Sequence, residues 1–279
     1  MITFTVITPC FNAAPYIEET VRSVVNNQSL RHSGIQLEYI ICDGGSNDGT
    51  VEKAHEITSG DLSENVTVHI MTENDHGMYD AVAKGVRLGT GDIFSYINAG
   101  DFYSPHVFDV MSEMFQKPEV GWVTGMTVIY NEKSHIVRSN TPYRYRKRFI
   151  QRGLYGRFLP YIQQESTFWR ARLNQAIDLE AFAKLKLAGD YYLWNTFSQF
   201  TDLRIVESWI GGFRVHPGQL SSNHTAYNDE VLSFTKRPLI LDYLGACLDV
   251  LLWYSPSQIK KMFNREFFYT YNQKKQVFE

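Results

Sequence analysis

Apolar residues fall along the first hundred positions in short unbroken runs that alternate with stretches of helical period. The run ITFTVITP ends at Thr8-Pro9, and Ile17, Val21, Val24 and Val25 then recur at i, i+4, i+7 and i+8, the spacing of a helix with one buried face. LEYIICDGG (37–45) is a second run, too continuous for a half-exposed strand, and a Gly/Ser/Asn/Asp turn leads from it into a helix-like stretch from Thr50. VTVHIMTE (66–73) is a third run, MYDAVAKGVRLGTG (78–91) is a helix closed by glycines, and IFSYINAGD is a fourth strand that stops at Asn98-Ala99-Gly100-Asp101. Strands alternating with helices predict an α/β chain with a mostly parallel sheet covered on both faces. Such a sheet takes ligands at the carboxyl ends of its strands.

The pattern then changes. EVGWVTGMTVIYNEKSHIVRS (119–139) predicts one strand followed by a hairpin around Asn131-Glu132-Lys133-Ser134, a mixed extension of the sheet. Residues 141–164 carry six Arg or Lys and no acid, and read as a basic, aromatic loop. Helix-like segments follow over 171–200, then a strand LRIVESWIGGFRVH (203–216) and two helices from about residue 229 to the end.

At 279 residues the chain is long enough for one large domain with a sizeable core. Its 44% hydrophobic and 20% charged content is that of a globular protein, and a net charge of -3 argues against a general nucleic-acid binder. Cys10, Cys42 and Cys247 are an odd set without C-x-x-C spacing, which predicts a reducing, cytoplasmic setting and no disulfides. No basic leader precedes the first strand. The longest apolar stretch, 238–254, is interrupted by Asp242 and Asp249 and is shorter than the roughly 20 apolar residues a membrane span needs.

Polar residues stand at four successive strand ends: Asn12, Asp43, then Glu73 and Asp75, then Asn98 and Asp101. Any one of these turns is explained by turn or cap chemistry, whereas four in the same register along one edge predict a continuous pocket. TPCFNAAPYIEETVRSVVNNQ (8–28), EYIICDGGSNDGT (38–50), TENDHGMYDAVAKGVRLGTGDI (72–93) and INAGD (97–101) resemble, in order and spacing, the family 2 glycosyltransferases, inverting enzymes of the GT-A fold. Within that family the chain resembles bacterial members that assemble exopolysaccharide, colanic-acid or O-antigen units. The resemblance runs from about residue 3 to about residue 222. It implies a GT-A domain over 1–222, with a nucleotide-binding half (1–101) and an acceptor-binding half (102–222), and leaves 223–279 as a helical extension.

The resemblance implies that Thr8, Pro9, Phe11, Asn12 and Asp43 hold the nucleoside, with Gly44 and Gly45 letting a ligand approach the backbone. Asp75, Gly77, Tyr79, Asp80 and Lys84 match the stretch that meets the ribose, diphosphate or donor sugar. Lys84 equally fits an i, i+4 ion pair with Asp80. Asn98 and Asp101 correspond to the D-x-D-like corner whose carboxylate binds Mn²⁺ or Mg²⁺ on the donor diphosphate, with Gly100 where the family often has Asp. Asp190, in LAGDYYLW, matches the catalytic base, and is also an ordinary helix cap by spacing alone. Gln164 and Glu165 would position the acceptor, or form a polar strand edge. Arg214 and His216, in GGFRVHPGQLS, alternate along a strand, Arg214 toward the diphosphate and His216 as a third metal ligand or a plain hydrogen-bonded residue.

Over 142–157, Tyr143, Tyr145, Phe149 and Tyr155 interleave with Arg and Lys, a mixture suited to an anionic lipid surface or a lipid-diphosphate acceptor, to a solvated loop, or more weakly to nucleic acid. The C-terminal helices would share that peripheral membrane contact or form a dimer. The expected activity is transfer of a sugar from a nucleotide-diphosphate donor, UDP-linked by preference, to a saccharide acceptor, lipid-linked, in cell-surface polysaccharide synthesis. Two rivals stand beside it. One is a silent nucleotide-sugar-binding scaffold, suggested by Gly100. The other is a nucleotidyltransferase, disfavoured because TPCFNAAPY has neither Gly nor a cation for a triphosphate. No G-x-G-x-x-G follows the first strand, which argues against a dinucleotide-dependent dehydrogenase.

Overall fold

The computed structural model describes residues 1–31, 34–215 and 223–279. The expected alternation is present: β1 (Ile2–Cys10), α1 (Ile17–Val25), β2 (Ile35–Asp43), α2 (Thr50–Thr58), β3 (Val66–Thr72), α3 (Met78–Leu88) and β4 (Ile93–Tyr96), all four strands parallel. Side chains alternate between two cores. Phe4 and Val6 of β1 and Leu37, Tyr39 and Ile41 of β2 join one cluster, and Ile7 and Ile40 join the other, as the period of two requires.

After β4 come β5 (Phe102–Tyr103), α4 (Val107–Phe115), β6 (Trp122–Thr124), β7 (Thr127–Tyr130) and β8 (Ile136–Asn140), then α5 (Lys147–Ile150), β9 (Thr167–Arg170), α6 (Leu179–Ala183), α7 (Gly189–Phe197), β10 (Leu203–Val206) and β11 (Gly211–Arg214). The eight-stranded main sheet runs β12-β10-β6-β9-β4-β1-β2-β3, where β12 is Phe268–Tyr269, and β9 is antiparallel to both its neighbours. A second sheet runs β5-β11-β7-β8.

Over 119–139 the chain forms one strand, β6, and then the β7–β8 hairpin around residues 131–135, as expected, whereas the single strand expected over 203–216 is two, β10 and β11. β6 pairs with β10 in the main sheet, and β7 pairs with β11 in the second, both in parallel. The two ribbons leave one sheet and enter the next side by side. Continuous apolar alternation cannot show this, because it is the same on both sides of the bend.

The C-terminal part also differs from two helices. It holds α8 (His224–Phe234), α9 (Ile240–Trp253) and α10 (Ser257–Phe263), and the chain then returns through β12 to the edge of the main sheet and closes with a short hairpin, β13 (Tyr271–Asn272) and β14 (Val277–Phe278). Phe268 and Phe278 are core residues.

The basic segment is not a solvated aromatic loop. Tyr143, Tyr145, Phe149 and Tyr155 are all buried, and Tyr145 meets the Trp253 ring edge-on at 5.3 Å. Arg146 makes a two-pronged bond to Asp249 at 2.6 and 2.7 Å, while Arg148 and Arg152 both pair with Asp242. The two acids that interrupt the apolar stretch are therefore the buried counter-charges of this segment. Loss of Arg146 would leave the buried Asp249 carboxylate without its two-pronged partner, whereas Asp242 would keep one arginine after loss of the other.

Candidate functional site

The carboxyl ends of β1 to β4 open on one edge, where the turns after the strands brace one another. Asn12 sits in the left-handed region (φ 48°), its backbone N–H donates to Ser46 Oγ at 2.8 Å, and its Oδ1 accepts from Asn47 N at 3.1 Å. Ala13 N donates to Thr50 Oγ1 and Ala14 N to Asp48 Oδ2. Asp43 is buried and holds its own turn, accepting from Gly45 N and Ser46 N at 3.0 Å each and from the Ser46 hydroxyl. Thr8 is fully buried against the Tyr39 hydroxyl at 2.9 Å, and Pro9 is buried beside it. Of the first loop's expected nucleoside contacts, only Phe11 (62% exposed) and Asn12 reach the surface. Thr8 and Asp43 thus lie at the base of the edge, and Asp43 lines a small cleft there.

The glycines of the second turn also have a different reason. A Cβ on Gly44 would stand 2.6 Å from Asp75 Oδ2, and one on Gly45 would stand 2.5 Å from Asn74 Oδ1. Side chains of the third turn approach this backbone. Asp75 also accepts from Gly77 N at 2.9 Å and lines a small cleft with Cys42, Asp43, Glu73 and Lys84. Asp80 accepts from His76 N. Lys84 lies between Glu73 (3.6 Å) and Asp80 (3.9 Å) and donates to Asn74 O, which is the ion-pair reading of this residue. Tyr79 is buried and its hydroxyl donates to Leu187 O at 2.9 Å.

At the fourth strand end, Gly100 has φ 118°, a conformation that strains any side-chain-bearing residue, so the backbone itself favours glycine over Asp here. Its N–H takes Thr20 Oγ1 at 2.8 Å, and the same hydroxyl donates to Asp101 O. Asp101 is buried and accepts from Arg214 N at 2.9 Å. Burial raises its carboxyl, against the opposing pull of the Arg214 backbone bond and cation and an Asn98 hydrogen bond. Arg214 braces the corner through Gly100 O (2.8 Å), the Glu19 carboxylate and the Phe102 ring. His216 lies outside the described residues.

Gln164 joins this corner to the acceptor side. Its amide donates to Tyr96 O and its Oε1 accepts from Asn98 Nδ2 at 3.2 Å. Glu165 is buried, not a strand edge, and its Oε1 has no hydrogen-bond partner among the described residues, as is also true of Asn98 Oδ1. Desolvation pushes the Glu165 carboxyl well above the usual range, and the charges of Asp101 and Asp190 add to it. An unpartnered buried oxygen is costly in a folded chain, and Asn98 Oδ1 and Glu165 Oε1 are two such atoms at this corner. Among the described residues no three His, Cys, Asp or Glu side chains gather as a metal-ligand set.

Asp190 is the second residue of α7 and keeps partial exposure. Burial of the carboxyl pushes its pKa up to about 7, opposed by hydrogen bonds from Tyr191 N and the Tyr227 side chain and reinforced by the nearby Glu230 charge. Glu230 accepts from three consecutive backbone N–H groups, Lys186 (2.8 Å), Leu187 (2.7 Å) and Ala188 (2.6 Å), the residues that lead into α7. It supplies the anion that a helix N-terminus favours. Tyr227 and Glu230 were not singled out from the sequence, because α8 lies beyond the recognisable motifs and only the fold brings it to Asp190.

A family model described as glycosyl transferase family 2 matches residues 5–176. A PGL/p-HBAD biosynthesis glycosyltransferase of Mycobacterium bovis is 32% identical over 98 residues, 35% of this chain; that match spans only about a third (35%) of the mycobacterial relative's length. An uncharacterized glycosyltransferase of Haemophilus influenzae is 23% identical over 246 residues, 86% of this chain and 74% of that one. Among solved structures, S. aureus TarS 1-349 in complex with UDP-GlcNAc has a TM-score of 0.58 at 13% identity, covering 95% of this chain and 71% of that one. Glucosyl-3-phosphoglycerate synthase from Mycobacterium tuberculosis, in complex with Mg²⁺ and UDP, has a TM-score of 0.53 at 17% identity, covering 86% and 81%. These likenesses establish the fold, the α/β GT-A type. The match to the family model covers more than half of the sequence, and the chain belongs to glycosyl transferase family 2.

Proposed function

We propose that this protein transfers a sugar from a UDP-sugar to a hydroxyl of a saccharide acceptor by single displacement, with Asp190 as the base. The acceptor oxygen forms a bond to the sugar's C1, the bond from C1 to the diphosphate breaks on the opposite face, and the acceptor's proton passes to Asp190, so the anomeric configuration inverts. The observation that carries this reading is Asp190 itself: a carboxyl at the head of α7, raised to about 7 and held by Tyr227, adjoining the strand-end edge. A base with a pKa near the working pH combines the right protonation state with a useful driving force. UDP is favoured because TarS and the glucosyl-3-phosphoglycerate synthase, which share the fold, were crystallised with UDP or UDP-GlcNAc.

The donor would lie along the edge formed by Phe11, Asn12, Asp75 and Gly77. Asn98 through its unpartnered Oδ1, and Asp101, are oxygen donors of the kind a hard divalent ion accepts, an ion otherwise held by phosphate and water. Mg²⁺ or Mn²⁺ bound there would neutralise charge on the departing diphosphate. Gln164 and Glu165 would orient the acceptor. We read that acceptor as lipid-linked and the pathway as cell-surface polysaccharide assembly, with the protein cytoplasmic and peripheral at the inner face of the membrane. Among the described residues no helix is long and apolar enough to cross a membrane.

The test is a thermal-shift screen against UDP-, GDP-, dTDP- and CMP-sugars with and without Mg²⁺ or Mn²⁺, followed by a transfer assay with Asp190→Asn. A metal-dependent shift with UDP-sugars, retained in the variant while transfer disappears, is the expected outcome. Donor binding with no transfer or donor hydrolysis in the native protein would favour the scaffold reading instead.

A further inference from the structure

The helix α9 wears its amphipathic pattern inside out. Its acids point into the protein: Asp242, Ala246, Asp249 and Trp253 form the buried stripe, and both carboxylates are paired with arginines of the 146–152 segment. Its leucines point outward. Ile240 (81% exposed), Leu241 (71%), Leu244 (59%), Leu248 (65%) and Leu251 (72%) line the opposite side at the i, i+3, i+4 and i+7 spacing of one helical face. Tyr243 and Tyr254 are exposed at the two ends of the helix, and α10, which packs on α9, adds exposed Met262 and Phe263. A contiguous apolar face of this kind marks a contact surface.

Charge selects the occupant. Residues 238–256 contain no Lys or Arg, and their two acids are those buried ones. Exposed Lys236 and Arg237 stand just before the helix. A second copy of the chain laid on this face in parallel would bring these cations together, and one laid antiparallel would meet them with no exposed acid from 238–256. An anionic bilayer supplies the complement to both the apolar face and its cationic N-terminal end, with the tyrosines at headgroup level. Fourteen residues reach about 21 Å, too short to span the hydrocarbon core and suited to lying in its boundary.

We propose that α9 is an interfacial helix that seats the protein on an anionic membrane, with Leu241, Leu244, Leu248 and Leu251 in the headgroup boundary. The basic 142–157 segment is then not the membrane contact itself but the clamp that turns α9's leucines outward. This deepens the reading above, in which the acceptor is lipid-linked, by naming the surface that brings the site to it.

The test is co-sedimentation of the full chain with vesicles of phosphatidylglycerol and phosphatidylethanolamine in equal parts, against vesicles of phosphatidylcholine alone. The native protein should bind the first, and Leu248→Glu/Leu251→Glu should weaken that binding by about tenfold or more. Lys236→Glu/Arg237→Glu should weaken binding to the anionic vesicles and lessen its salt dependence. Because Cys10 and Cys42 are buried and Cys247 is exposed on α9, a polarity-sensitive dye on Cys247 should shift to the blue with vesicles, a readout that needs no substitution. An absent shift, or equal binding by the native and Leu248→Glu/Leu251→Glu proteins, overturns the proposal. So does a lipid-free dimer in light scattering that this variant makes monomeric, since the occupant is then a second copy. A UDP-sugar melting shift without vesicle binding would remove this proposal alone, and vesicle binding without any nucleotide-sugar shift would support it while removing the donor reading.

Discussion

The ring of Tyr79 occupies the space that a side chain at Gly189 would need: a Cβ built there would stand 2.4 Å from Tyr79 Cδ1. Tyr79 belongs to α3, on the strand-end edge, and Gly189 opens α7, one residue before Asp190. The contact, with the Tyr79 hydroxyl on Leu187 O, fixes the candidate base relative to the donor side.

Gly189→Ala should therefore cost roughly 1–3 kcal/mol in urea unfolding, the usual penalty for overpacking a closed site, and lower transfer at saturating donor. In a Tyr79→Ala background the same substitution should cost less, because the ring it collides with is gone. Equal cost in both backgrounds would show that the two residues are not coupled.

The pH dependence of Asp190 follows from its raised pKa, about 7 against an ordinary value of 3.8. A base must be deprotonated to work, so turnover should rise with pH through a midpoint near 7. Stability runs the other way. Between about 4 and 7 the folded protein keeps a proton that the unfolded chain releases, so this group's contribution weakens as pH rises across that window. Asp190→Asn, inactive, should melt higher than the native protein at pH 8, and the difference should close toward pH 4. Melting curves across pH check the sign directly.

Glu230→Gln separates holding the helix from tuning the base. Glutamine offers one acceptor oxygen where the carboxylate meets three backbone donors, and it removes a negative charge that raises the Asp190 pKa. The expected result is a lower kcat with little change in donor KM, and a pH midpoint moved below that of the native protein. A purely structural role would lower stability and leave the midpoint in place.

The parallel half of the fold was legible because strand ends and helix periods are local: Asn12, Asp43, Asp75, Asn98 and Asp101 do stand on one edge of the sheet. What each side chain does there was less legible, because that depends on partners far away in sequence. Asp43 and Thr8 read as ligand contacts, and the fold adds partners the sequence does not show: Thr8 bonds the Tyr39 hydroxyl and Asp43 holds its own turn. Gly44 and Gly45 face Asp75 and Asn74. Gly100 read as a missing carboxylate and is the residue its backbone conformation selects. The break between β10 and β11 leaves the apolar pattern intact, so nothing in the periodicity marks it. The cationic run at 144–157 read as surface because its counter-charges, Asp242 and Asp249, lie about a hundred residues further on.

Those counter-charges also bear on where the protein can be cut. The family match ends at residue 176 and the recognisable motifs near residue 222, yet α8 supplies Tyr227 and Glu230 to Asp190, α9 pairs its two buried aspartates with three arginines, and β12 completes the edge of the main sheet. The last fifty-odd residues act as a keystone rather than an appendage. A protein shortened to its recognisable part would uncover Tyr145 and Phe149, strand Arg146 without a partner and free the start of α7. It would aggregate before its chemistry could be measured, and its inactivity would say nothing about which residues perform the transfer.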